Sequence, residues 1–147
     1  MSKIEKVLLT GKTHTTMTQG QARGAHGNVD VALSSPGMPK LSQSFADTMP
    51  HPLAEQLFAG AWSACYISAI ALAAQQKNVA LPADVAVDIA VDLGQTGEAY
   101  FIQARFDVSL PGLPQDVAED LAHIAHTICP YSKATHGNID VNLNVTV

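Results

Sequence analysis

Two cysteines, two closely spaced histidines, one carboxylate and one arginine are the side chains of this sequence that could do chemistry. Cys65 lies near the middle of Leu53–Lys77, an alanine-rich stretch with no charged side chain between Glu55 and Lys77. A thiol there is either a small buried hydrophobe or the reactive atom of a buried site. Cys129 precedes Pro130 where a helical pattern ends, and a helix C-terminus raises a thiol's pKa. Taken alone, it too reads as inert. As a pair the two cysteines could be a peroxidatic and a resolving thiol, provided that the fold brings the sulfurs together.

His123, His126 and Cys129 recur at i, i+3 and i+6 on one helical face, which could supply three ligands of a zinc site needing a fourth from elsewhere. The plainer reading is preferred: imidazoles favour the C-terminal end of a helix. Glu55 falls in the first turn of the Leu53–Lys77 stretch, where a carboxylate suits the helix dipole. Its functional reading is as the partner of an arginine. Of the two arginines, Arg105 lies on the polar face of a strand pattern, while Arg23 sits among Gly20, Gly24 and Gly27 and has the freedom to reach a pocket. A solvated turn residue is the competing reading of Arg23.

The elements that must hold these groups are legible from periodicity. Residues 4–18 are rich in Thr and apolar side chains, as strands are. A glycine-rich hairpin follows, and then a second strand through Val29, Val31 and Leu33. Ser34 to Pro52 holds four prolines and no period, so it reads as a linker or long loop. Leu53–Lys77 is apolar all round and reads as a helix buried in a core. Its length would let it cross a bilayer, but its Ala, Gly and Ser content and its lack of flanking basic clusters argue otherwise. Val85 to Leu93 and Tyr100 to Leu110 alternate apolar and polar around a turn at Gly94–Gly97, predicting an antiparallel pair. Pro114 opens a second helix carrying Val117, Leu121, Ile124 and Ile128, ended by Cys129-Pro130. Ile139 to Val147 alternates again. The order ββ-α-ββ-α-β predicts an α+β fold with antiparallel sheets and a buried central helix, in a single domain spanning 1–147.

Composition narrows the function. The 147 residues are 47% hydrophobic and only 14% charged, which points to surface buried by self-association. A net charge of −5 without a basic run argues against nucleic acid. The opening Met1-Ser-Lys-Ile-Glu-Lys leads straight into a strand pattern with neither an apolar signal region nor a cleavage site. The expectation is a cytoplasmic protein with no membrane partner and no cofactor, whose two thiols are inert or redox-active rather than a structural staple.

The stretches Pro52-Leu-Ala-Glu-Gln-Leu-Phe-Ala-Gly-Ala-Trp-Ser-Ala-Cys65 and His126-Thr-Ile-Cys-Pro-Tyr-Ser-Lys-Ala-Thr-His-Gly-Asn-Ile-Asp-Val141 resemble the two cysteine motifs of the organic hydroperoxide resistance (Ohr) branch of the OsmC/Ohr family. The Glu5-Lys6-Val7-Leu8 opening fits as well. The resemblance implies an intertwined homodimer with sites between subunits. It implies a thiol peroxidase that reduces organic hydroperoxides to alcohols and is recycled by a lipoyl-type dithiol. It makes Cys65 the peroxidatic thiol, Cys129 the resolving thiol that forms a disulfide with it, and Glu55 the carboxylate that orients an arginine.

The sequence departs from the family at that arginine. The family places it in a Gly-Gly-Arg-x-Gly hairpin, where this chain reads Met17-Thr-Gln-Gly20, so Thr18 or Gln19 takes its place and Arg23 lies three residues beyond Gly20. His136 stands where the family usually has arginine. Two rival readings remain: a module of the same fold that binds an apolar ligand or senses redox state without turnover, and a metal-binding domain built on His123, His126 and Cys129. Glu55 and Cys65, ten residues apart on one helix, are about 15 Å apart along its axis. A carboxylate that serves this cysteine must then come from a second chain, or the helix must break.

Overall fold

The computed structural model describes residues 2–17, 29–35, 38–45 and 52–147. Arg23, Thr18, Gln19 and the expected glycine-rich hairpin lie outside the described residues. The elements run β1 (Lys6–Thr16), β2 (Val29–Ser35), β3 (Met38–Phe45), α1 (Ala54–Lys77), β4 (Ala86–Thr96), β5 (Ala99–Ser109), α2 (Gln115–Ile128), α3 (Pro130–Thr135) and β6 (Asp140–Thr146). The fold is α+β, as expected. One six-stranded sheet is ordered β2-β3-β1-β4-β5-β6.

Three features differ from the sequence reading. The supposed loop after Ser34 contains β3, which pairs with β2 and, from Ser42 to Phe45, with β1. Its prolines hid it, and Pro39 falls where the β2–β3 register shifts, a place that needs no ladder N–H. The sheet is mixed rather than antiparallel, because β6 runs parallel to β5 after the α2–α3 crossover. Finally, the chain does not leave the helical layer at Cys129-Pro130. Pro130 opens the short helix α3, since a proline in the first turn has no N–H to lose. The order is therefore βββ-α-ββ-αα-β.

The β4–β5 hairpin is tighter than the glycine spacing implies. Thr96 pairs with Ala99, leaving Gly97-Glu98 as a two-residue turn with Gly97 at φ +58°, a conformation glycine adopts without a Cβ penalty.

Helix α1 is the centre of the packing. Its N-terminal turn has no side-chain cap, but Gln56 Oε1 accepts the Leu53 N–H at 2.9 Å, and Asn78 in the left-handed region ends the helix. The Ala54–Lys77 helix is long and apolar enough to cross a membrane, yet it lies against β1, β4 and α2 and is mostly buried there. Gly11 of β1 makes that approach possible: a Cβ there would come within 2.4 Å of the Gln56 backbone N. Trp62, Tyr66, Ile67 and Ile70 of α1 are fully buried against Val87, Ile89, Val91 and Phe106 of the sheet. Trp62 and Tyr66 both meet the Phe106 ring edge-on, at centroid distances of 4.8 and 4.9 Å.

Candidate functional site

Among the described residues, one arc of α1 carries several apolar side chains that are not fully buried. Leu57, Ala61, Cys65 and Leu72 fall within a narrow arc at the helix period of about 100° per residue. All four are partly or fully exposed, on a helix otherwise largely buried. Cys65 is the thiol of that stripe. Cys129, fully buried, sits at the corner between α2 and α3. Its N–H donates to Ala125 O at 2.8 Å, and its carbonyl accepts the Lys133 N–H at 3.0 Å. The corner turns the Cys129 side chain toward α1.

The two sulfurs are 2.7 Å apart, both as free thiols. A disulfide needs about 2.05 Å between sulfurs, so a small side-chain rotation suffices to bond them. The structure thus brings together the two cysteines that the sequence could only nominate.

The surroundings of Cys65 push its thiol up to about 12. Burial is the largest cause, followed by the Cys129 thiol beside it; a hydrogen bond from the Tyr131 backbone acts in the other direction. No cation contributes among the described residues. Arg105 is committed elsewhere, to Asp92. Glu55 is half-buried where α1 starts, beside Gly11, and no ion-pair partner for it occurs among the described residues. Within one chain the structure does not bring Glu55 to Cys65.

Four hydrogen-bonding side chains that the sequence did not single out as a group surround the thiol corner. Trp62 Nε1 donates to Ser132 Oγ at 2.9 Å, and Ser132 Oγ lies 3.0 Å from His126 Nδ1. Tyr66 OH donates to Ala122 O at 2.6 Å, and its burial among apolar groups raises its pKa. Burial, with a smaller contribution from His123, lowers His126 to about 4 and keeps it neutral. The sequence signal for Ser132 was its i+3 position after Cys129, which has a spatial meaning only once α3 is known to exist.

The metal reading of His123, His126 and Cys129 is corrected. Among the described residues no three His, Cys, Asp or Glu side chains converge to hold an ion. Cys129 faces Cys65, His126 is bonded to Ser132, and His123 is exposed. A helical face shared in sequence was broken up by the contacts each side chain makes.

The profile of the OsmC-like protein family matches residues 46–144, which include both cysteines and most of the helices and strands that carry them. The chain belongs to the OsmC-like family. Within it the resemblance is to the Ohr branch. The organic hydroperoxide resistance protein of Xanthomonas axonopodis pv. citri is 37% identical over 99% of both chains. The organic hydroperoxide resistance protein OhrA of Bacillus subtilis is 36% identical over 80% of this chain and 79% of its own. Among solved structures, OhrB of Bacillus subtilis superposes with a TM-score of 0.62 at 26% identity, covering 81% of this chain and 97% of that one. An OsmC organic hydroperoxide resistance protein from Legionella pneumophila gives 0.62 at 30% identity, covering 85% and 100%.

Proposed function

We propose that this OsmC-like protein is a thiol peroxidase that reduces organic hydroperoxides to alcohols. The observation that carries the reading is the Cys65–Cys129 pair, 2.7 Å between sulfurs, with one thiol on an open apolar stripe and the other buried behind it. The relatives named for organic hydroperoxide resistance support the substrate class.

In this reading the Cys65 thiolate attacks the distal oxygen of the hydroperoxide. The O–O bond breaks, an alcohol leaves, and Cys65 becomes a sulfenic acid. The Cys129 sulfur then displaces the hydroxyl, forming the Cys65–Cys129 disulfide and releasing water. An external dithiol of lipoyl type reduces the disulfide by exchange. Ala61, one turn before Cys65, and the apolar Leu57 and Phe58 further toward the start of α1 favour an alkyl chain over hydrogen peroxide.

The proposed assembly is an intertwined homodimer in the cytoplasm, where thiols are kept reduced. A second chain would cover the Leu57–Leu72 stripe and bring Glu55, with Arg23 as its guanidinium partner, to Cys65. A cation near the thiol would offset the burial that now disfavours the thiolate. The raised Cys65 pKa also favours a second reading, a non-catalytic module that senses redox state or holds an apolar ligand. Stopped-flow mixing of the reduced protein with cumene hydroperoxide separates the two. Rapid consumption of one equivalent, ending in a disulfide, is expected of the peroxidase. No oxidation within minutes at neutral pH would leave the binding module.

A further inference from the structure

Cys129 is useful to Cys65 only if the α2–α3 corner is held at the right distance from α1. Two hydrogen bonds tie α1 to that corner. Tyr66 OH to Ala122 O fixes α2 nearly two turns before the cysteine. The other, from Trp62 Nε1 to Ser132 Oγ, fixes α3 one turn after it.

The direction of the second tie follows from the donor inventory. An indole N–H only donates, so Ser132 Oγ accepts from Trp62. Ser132 Oγ also lies 3.0 Å from His126 Nδ1. A hydroxyl both donates and accepts, so this bond forms with either tautomer of the neutral imidazole. His126 precedes Cys129 by three residues and Ser132 follows it by three, so the chain of bonds runs from α1 through α3 to α2 and closes around the cysteine. Trp62 and Ser132 are both buried. A buried neutral bond contributes only about 1 kcal/mol net, whereas a misplacement of about 1 Å at a reacting centre costs about a hundredfold in rate. Geometry is where this arrangement has most effect.

We infer that Ser132 is a positioning residue for Cys129, holding the buried thiol within reach of Cys65 through Trp62 on one side and His126 on the other. The step it governs is condensation: the S–O bond of the Cys65 sulfenic acid breaks, the S–S bond forms, and the departing hydroxide leaves as water with the Cys129 proton. A sulfenic acid whose partner is displaced waits longer and is oxidised by a second hydroperoxide to sulfinic acid. The kinetic part of this inference rests on the peroxidase reading; the thiol–disulfide equilibrium does not.

The test compares Ser132→Ala and Ser132→Thr with the wild-type protein in two measurements. In the first, the proteins are oxidised with graded cumene hydroperoxide, and disulfide and sulfinic acid are separated by intact mass. In Ser132→Ala condensation should slow at least about tenfold, with sulfinic acid accumulating, and the loss should fall on this step rather than on the first oxidation. Ser132→Thr keeps the hydroxyl and should restore the partition. In the second, the proteins are equilibrated in glutathione redox buffers. Without the tie the dithiol gains positions in which Cys129 is out of reach, a freedom that the disulfide denies it. Loss of the tie should therefore lower the effective concentration of the thiols about tenfold, a rise of about 30 mV in reduction potential. A wild-type partition and potential in Ser132→Ala would overturn the inference. So would parallel losses in both oxidation steps with an unchanged potential, which mark a merely structural role. A wild-type protein inert to cumene hydroperoxide would overturn the peroxidase reading instead, leaving the glutathione measurement to judge the tie.

Discussion

Arg105 reaches diagonally from β5 to Asp92 on β4, on the sheet face opposite α1, and holds its carboxylate through both terminal guanidinium nitrogens. Thr10 and Gln103 complete the shell around Asp92, whose side chain is 1% exposed. Burial alone would raise that carboxyl, but the bonds from Arg105, Thr10 and Gln103 outweigh it, and its pKa is lowered. This relationship decides a question about the thiols on the other side of the sheet. Arg105 is unavailable to Cys65, and the proposed mechanism therefore assigns the activating guanidinium to Arg23, the other of the two arginines.

Arg105→Leu should accordingly cost stability and not chemistry. It strands a buried carboxylate with two neutral donors, a loss of about 1–3 kcal/mol. A group whose folded pKa is lowered contributes stability that is present above its unfolded pKa, about 3.9, and is lost as pH falls through the folded value. Without Arg105, burial raises the Asp92 carboxyl of the variant, so the wild-type advantage should be largest near neutral pH and shrink on acidification as that carboxyl takes up a proton. Urea unfolding from neutral to acidic pH measures it. An advantage that grew on acidification would refute the assignment.

His126 gives a second pH signature of the same sign in a higher window. It is held neutral, its pKa lowered to about 4 by burial first and by His123 second, against about 6.5 in the unfolded chain. The unfolded state binds the proton more readily between those values, so stability should fall from about pH 6.5 toward pH 4. His126→Gln, which cannot titrate, should flatten that part of the profile. Nitrogen-15 NMR of the imidazole should find it neutral at pH 6.

The thiols should separate by variant. Cys65→Ser removes the nucleophile and should abolish hydroperoxide consumption. Cys129→Ser should allow one turnover and leave a sulfenic acid on Cys65 that dimedone traps. An active Cys65→Ser beside a dead Cys129→Ser would reverse the two roles.

Much of this arrangement was legible in the sequence, and the gaps have physical causes. The strict alternation of β4, β5 and β6 reported the strands, and in β4 and the second half of β5 their buried faces as well. It could not report that β6 lies parallel to β5, because direction is set by the crossover and not by the period. β3 was hidden by the prolines of its stretch, of which Pro39 marks a shift in ladder register rather than a loop. Cys65 and Cys129 were legible as candidates by type and motif, but their proximity depends on α3. That helix begins at a proline that reads equally well as a stop. Glu55 remains what its position made it, a carboxylate too far along α1 to serve Cys65 of its own chain.

That distance, together with the exposed stripe on α1, leads to the assembly. Leu57 is 56% and Leu72 46% exposed on a helix whose other faces are buried, and Cys65 lies between them on the same arc. An apolar stripe centred on a reactive thiol, left open to water, loses the contacts that a second copy of the helix would supply. The expected species at micromolar concentration is a dimer of the 15.5 kDa chain. Leu57→Glu and Leu72→Glu each place a charge within the proposed contact and should shift sedimentation toward the monomer. If Arg23 and Glu55 reach Cys65 only across that contact, the same variants should raise the Cys65 pKa and slow hydroperoxide reduction at least about tenfold, equivalent to about 1.4 kcal/mol of transition-state stabilisation. Arg23→Ala should do the same while leaving the dimer intact, because it removes the cation and not the contact. A wild-type protein that sediments only as a 15.5 kDa species would end the dimer proposal. An Arg23→Ala dimer with an unchanged thiol pKa and rate would move attention to Thr18 and Gln19.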